Sequence, residues 1–412
     1  MKQMLVPTGL ILAMVACGQP DEPPAGGDGT PTPASEVRDS AGVRIVENPR
    51  PPDGSRLSWR VGPTPVLSIG ALEGEEPYLL DGIRDLLTLP DGRIVVANRS
   101  SHELRVFDAA GSHLATWGGE GEGPGEFNSL VQVERWPGDS VVAWYSQDRR
   151  LSVFHGDGNL GRTLRLESDR PISVDAVFPS GAILASQSVP GGSGADGSSR
   201  EQRRYEVRVA GGEQPASVGS FFGSERYTSS LGGAMLLMTV PFAHRIVNFA
   251  WGELAVVASN DNYEIGAYGA DGSLIRIVRI DHDAIPVTSE HRDAYVERQA
   301  VAPEPGGVTA ETPRQLRDFY RDVPLPDTHP AFVTAMADAL DHLWVQEYNL
   351  PGEGGPNPLW TVFDPEGRVL GFVETPAEVR IYEIGEDYIL GRSTDDLGVE
   401  YAQVWSLSRS GG

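Results

Sequence analysis

Leu89-Pro90-Asp91-Gly92-Arg93-Ile94-Val95-Val96-Ala97, followed by Leu104-Arg105-Val106-Phe107-Asp108-Ala109-Ala110-Gly111, decides how this chain folds. An Asp-Gly turn opens into a strand rich in β-branched residues. A second alternating strand closes on an Asp-Ala-Ala-Gly turn. Ile83 to Leu89 alternates upstream and His113 to Trp117 alternates downstream. The stretch is therefore one antiparallel unit of four strands.

The unit recurs. Turns at Pro137-Gly138-Asp139, Pro179-Ser180-Gly181, Trp251-Gly252 and Gly385-Glu386-Asp387 each follow an alternating run. A further copy carries Phe332 to Ala337, Leu343-Trp344-Val345 and Trp360 to Phe363. The first turns fall near positions 91, 138, 180, 251, 340 and 385. Most steps match the ~40–50 residues of a four-stranded propeller blade. The two longer steps hold insertions: a Gly/Ser-rich loop at Gly191 to Ser199, and a segment over 288–322 with helical signals. There Thr312 is a cap residue, Pro313 stands at the first helical position and Gln315 at the third; Leu316, Phe319 and Tyr320 share an apolar face. The sixth unit lacks its fourth strand, while Val66 to Ile69 is a strand candidate without a partner upstream. Pairing the two closes the ring and leaves no long free edge. The expected fold is all-β: a six-bladed β-propeller of four-stranded antiparallel blades over 38–410, with a short helical insertion.

Composition restricts function. The 412 residues carry 33 Lys+Arg against 58 Asp+Glu, a formal charge of −25. Phosphate contacts need clustered basic residues, so nucleic acid is excluded as a partner. Electrostatic docking on anionic lipid is excluded on the same ground. Lys2 and the apolar run Met4 to Val15 have the form of an export signal, too short to span a bilayer. Met14-Val15-Ala16-Cys17 resembles the lipobox of bacterial lipoproteins, and Cys17 is the only cysteine in the chain. The resemblance implies cleavage after residue 16, lipidation of Cys17 and attachment to a membrane through that lipid. Residues 17–37, rich in Pro, Gly, Asp and Glu, read as a disordered tether. Gly18 in place of Asp after the lipidated Cys implies the outer membrane, facing the periplasm or the exterior.

The quoted unit, together with the Gly-rich link Gly118 to Phe127 and the later stretch His329-Pro330-Ala331-Phe332, is similar to NHL-repeat-like six-bladed propellers of bacterial envelope lipoproteins. The resemblance implies fold more than activity. Its wider group runs from protein-binding modules to calcium-dependent lactonases, so calcium is the one cofactor it suggests.

No residue pattern announces catalysis. Gly119, Gly121, Gly123 and Gly125 lead into a strand rather than a helix, which suits a tight crossing between units and not a phosphate loop. The eight histidines show no metal-ligand spacing, and Asp281-His282-Asp283 and Glu290-His291 read as solvated loop and helix-start residues. What remains is the channel. In a propeller the innermost strand of each blade lines it, and Arg84, Asp85, Gln132, Glu134, Asp175, His244, Arg245, Asn248, Thr334 and Arg380 fall on or beside those strands. By resemblance to the lactonase-like relatives, Glu134, Asp175 and Asn248 are the calcium-ligand candidates, oxygen donors that suit a hard cation. The expected function is non-catalytic binding of a protein, peptide or glycan at the channel mouth. The alternatives are a calcium-dependent lactonase-type hydrolase and a structural subunit of an envelope complex.

Overall fold

The structure, a computed structural model, describes residues 34–128, 132–145, 149–189, 197–209, 214–231, 234–301, 312–350 and 355–409. The export signal over 1–16, Cys17 and the tether as far as residue 33 lie outside the described residues. Glu36 and Val37, expected in the tether, belong instead to β1 (Glu36–Ser40), which turns into β2 (Val43–Asn48) across Ala41 and Gly42, both at positive φ. That turn matches the right-handed twist of a hairpin. It lets an exposed polar strand pair with an apolar one.

Two short strands follow, β3 (Arg60–Val61) and β4 (Leu67–Ile69). The first sheet is β5 (Ile83–Thr88), β6 (Ile94–Asn98), β7 (Glu103–Phe107) and β8 (His113–Gly118). The second is β9 (Gln132–Trp136), β10 (Ser140–Tyr145), β11 (Arg150–His155) and β12 (Leu160–Arg165). The third has five strands: β13 (Ser173–Val177), β14 (Ile183–Val189), β15 (Ser198–Arg208), β16 (Ala216–Leu231) and β17 (Ala234–Thr239). In the fourth, β18 (Ile246–Trp251), β19 (Leu254–Ser259), β20 (Glu264–Tyr268) and β21 (Leu274–Ile280) are extended by β2, parallel to β21, and then by β1. Helices α1 (Ser289–Val301) and α2 (Pro313–Asp322) come next. The fifth sheet is β22 (Phe332–Ala337), β23 (Leu343–Glu347), β24 (Leu359–Phe363) and β25 (Val369–Glu374). The sixth is β26 (Arg380–Ile384), β27 (Tyr388–Thr394) and β28 (Glu400–Ser408), with both β3 and β4 paired to β28.

The fold is a β-propeller. Contacts between innermost strands run β5 to β9, β9 to β13, β13 to β18 and β18 to β22, and β26 returns to β5. Sheets five and six are joined by a shared apolar cluster and by the Ala339 amide on the Ile384 carbonyl at 2.9 Å. Leu67 and Ile69, placed by β4 on β28, bury against Leu86 and Phe107 of the first sheet and Leu390 of the sixth. The early strand thus closes the ring as expected. Strand counts depart from the uniform four in the third, fourth and sixth sheets.

The core is partitioned. Each pair of neighbouring sheets encloses its own cluster, for example Val95, Val106, Val133, Val141 and Phe154 between the first and second, and Val256, Ile265, Phe332, Leu343 and Phe363 between the fourth and fifth. Full burial of one such side chain is worth about 1.5–3 kcal/mol. The Gly-rich link serves the first of these interfaces. Phe127 is buried there, and its amide bonds the Gly119 carbonyl at 2.8 Å. A Cβ at Gly118, at φ +81, would lie 2.5 Å from the Phe127 ring, so this position requires glycine.

The turns explain the recurring Asp. Asp108 Oδ1 accepts the Ala110 and Ser112 amides at 2.9 and 2.8 Å, and Asp364 Oδ1 accepts those of Glu366 and Arg368 at 3.0 and 2.7 Å. The side chain stands in for a strand partner while the chain reverses. In α2, Thr312 accepts the Gln315 amide, and Leu316, Phe319 and Tyr320 are buried against Val296 of α1 and Val240.

Candidate functional site

The innermost strands carry the candidate residues, and their irregularities aim them. The pairing of β5, β13, β22 and β26 with their neighbours shifts register at one position each, leaving Arg84, Asp175, Val333 and Tyr382 unpaired on the inner strand. Such bulges bend a strand and re-aim side chains, and they recur beside functional sites.

Two settings result. In the first, Asp85 links the first and second sheets, and Glu383 ties the sixth to both. Its Oδ1 accepts the Leu86 amide at 2.9 Å and its Oδ2 the Val133 amide of β9 at 3.0 Å. Glu383 of β26 accepts the Thr88 amide at 2.9 Å and Arg135 Nη2 at 2.7 Å, and Tyr388 donates to it as well. Glu134 of β9 sits beside both acids. Burial pushes Asp85 up to about 7 and Glu134 up to about 8, and each also feels the charge of Glu383. Arg84 and Arg380 stand exposed at the ends of their strands, the latter over the Tyr382 ring at 5.4 Å.

The second setting is a cleft. A cavity of about 370 Å³ is lined by Gln132, Asp175, Arg203, Tyr205, Arg245 and Asn248, among others. Gln132, Ser173 and Ile246 open β9, β13 and β18 and all line it, so it lies at the mouth where innermost strands begin. Asn248 donates to the Tyr205 hydroxyl at 3.1 Å, and Arg203 donates to Ser186 Oγ at 2.7 Å. Burial pushes Asp175 up to about 6, against the pull of Ser186 and Arg203, and its Oδ2 is buried without a hydrogen-bond partner. Arg245 also lines a second cavity, of about 510 Å³, with Phe242, Asn260, Tyr348, Asn349 and the α1 residues Tyr295 and Arg298. The helical insertion therefore forms one wall of this mouth, and Arg245 is common to both cavities.

His244, expected at the channel, is buried behind this wall. Its Nδ1 donates to Glu225 Oε1 at 2.9 Å, and its amide donates to Glu225 Oε2 at 2.7 Å. Asp261 approaches Nδ1 at 3.4 Å. Among the described residues, Glu225, His244 and Asp261 are the group whose ligand atoms converge enough for a metal ion. Arg200 already occupies it, with Nη2 at 2.7 Å from each Asp261 oxygen, so the group is satisfied as an ion-pair network. Nearby, His329 bonds His291 at 2.8 Å and the Tyr348 hydroxyl at 3.1 Å, and burial lowers its pKa to about 4.

The structure thus brings Asp175, Arg245 and Asn248 together, and separately Asp85 and Glu134. Of the calcium candidates, Asp175 and Asn248 line the cleft, and the charged neighbours of Glu134 are Asp85, Arg135 and Glu383. Glu383 escaped sequence reading because the bulge at Tyr382 reverses the alternation that selected Arg380. Glu225 and Arg203 lie on β16 and β15, whose long hairpin shows no simple period of two.

No family model matches the chain, and no curated protein matches it. Solved structures do resemble it. A Bacteroides fragilis protein described as exported is 11% identical over 88% of this chain and 99% of its own, with a TM-score of 0.47. A member of the DUF4221 family from Bacteroides vulgatus is 10% identical over 85% of this chain and 99% of its own, with a TM-score of 0.48. Virginiamycin B lyase from Staphylococcus aureus is 8% identical over 85% and 99%, with a TM-score of 0.35.

Proposed function

We propose that this chain is an exported, lipid-anchored propeller that binds a protein, peptide or glycan at the mouth where the innermost strands begin, without catalysis. One observation carries the reading: two cavities, of about 370 and 510 Å³, share Arg245 and mix guanidinium, amide, hydroxyl and aromatic groups. Ligand sites are concave, with a few polar groups fixing orientation among apolar ones. Export and anchoring rest on Met4 to Val15 and on Cys17, the lone thiol at the end of that run. A lipid at Cys17 would hold the propeller at the outer membrane, with residues 18–33 as spacer.

The test is affinity capture of the lipidated protein from membranes, beside an Asn349→Trp variant that fills the larger cavity from an exposed loop position. A partner is expected with the unmodified chain and not with the variant, at equal melting temperature. Equal recovery with both contradicts the reading and favours a structural subunit of an envelope complex. Cys17→Ser is expected to move the protein from the membrane fraction to the supernatant.

A further inference from the structure

Resting on that reading, the larger cavity identifies the chemistry of the ligand: we propose that it selects an anion, a carboxylate or phosphate carried on an apolar or aromatic body. The chain is acidic, with 58 Asp+Glu against 33 Lys+Arg. The wall of this cavity reverses that balance: it holds Arg245 and Arg298 and no acidic side chain. Among the described residues, the Arg245 guanidinium makes no hydrogen bond or ion pair; only its backbone is engaged, its amide on Asn260 Oδ1 at 2.6 Å and its carbonyl by the Asn260 amide at 3.0 Å. It is exposed and lines both cavities. Arg298 lies over the Tyr295 ring at 5.4 Å, a geometry that holds its charge beside an aromatic face.

Asp175 and Glu201 line only the smaller cavity, and the acids beside His244 are engaged. Glu225 is taken by His244, and Asp261 by both Arg200 and His244. His329, behind Tyr348 and 4.8 Å from the Phe242 ring, is held neutral by burial, so it neither repels nor attracts at pH 7. A bare guanidinium fork matches carboxylate or phosphate oxygens in two parallel hydrogen bonds. Asn349, exposed at the same surface, adds an amide donor, while the Asn260 amide is spent on the Phe332 carbonyl at 2.7 Å. Phe242, Val333 and Leu350 supply the apolar remainder, which a fully hydrated inorganic anion would leave unused.

The experiment titrates the full chain by calorimetry with phenylacetate, phenyl phosphate, the uncharged phenylacetamide and the cationic phenethylammonium. The variants are Arg245→Gln, Arg245→Lys and Asn349→Trp. The anions are expected to bind, to weaken about tenfold in Arg245→Gln, to recover partly in Arg245→Lys and to be lost in Asn349→Trp. The relative strength of the two anions shows which head group the fork prefers. If phenylacetamide or phenethylammonium binds as tightly as the anions, or if Arg245→Gln leaves affinity unchanged, the anion assignment falls while the binding reading stands. If none of the four binds at millimolar concentration, the assignment also falls, and membrane capture alone then decides the binding reading.

Discussion

Arg105 shows what a single residue does in this fold. It is 1% exposed, on β7, yet it is a cation. Its Nη1 donates to the carbonyls of Glu76, Pro77 and Leu79 at 2.9, 3.1 and 2.9 Å, and its Nη2 reaches the Glu76 and Glu103 carboxylates. One guanidinium therefore fixes the loop between β4 and β5, the segment that leads from the closing strand to the first sheet. Removing it leaves three carbonyls and two carboxylates without their donor. Arg105→Ala is expected to lower unfolding stability by about 1–3 kcal/mol, read by urea denaturation. A loss under 1 kcal/mol would show that the loop finds other partners. Nothing in the period-two pattern marks this position, because an inward Arg breaks the alternation as an error would.

At the scale of elements, the closing strand separates what can be read from sequence from what cannot. Val66 to Ile69 is visible as an unpaired strand next to a unit one strand short, and β4 does pair with β28. Asp-led turns and the Thr312 cap are equally legible, since each is decided within five residues. Three features are not. The addition of β2 to β21 joins residues more than 200 positions apart, and parallel pairing leaves no turn to announce it. The β15–β16 hairpin is interrupted by two register shifts, so no alternation survives along it. The bulge at Tyr382 hides Glu383 in the same way. If β4 closes the ring, its buried Ile69 should matter out of proportion to a three-residue strand. Ile69→Ala is expected to lose about 2–5 kcal/mol by calorimetry or denaturant, whereas Val66→Ala, at an exposed neighbour, should be near neutral. Equal effects would argue against closure through this strand.

Across the whole molecule, charge is distributed unevenly, and pH reports it. Asp85 and Glu134 hold protons in the fold at pH values where the open chain has released them, because burial raises both. The folded state then binds more protons than the unfolded state, so stability falls as pH rises from about 4 toward 8. His329 and His282 act in the opposite sense, since burial lowers both, and their effect fades above about pH 7. Between about pH 7 and 8 the raised carboxyls set the slope. Melting temperature is expected to fall across that interval, and Glu134→Gln should flatten the slope. A rising or flat profile in the unmodified chain would contradict the buried acid cluster. The same ring of sheets that crowds these acids together leaves the opposite sign of charge at the mouth beside α1, where binding is assigned. Site-specific photocross-linking in intact cells tests that assignment most directly, with a photoreactive residue at Asn349 of the mouth or at Leu114 on the exposed outer strand of the first sheet. The account predicts a discrete cross-linked product from position 349 and none from 114; a product from 114 with none from 349 would contradict it.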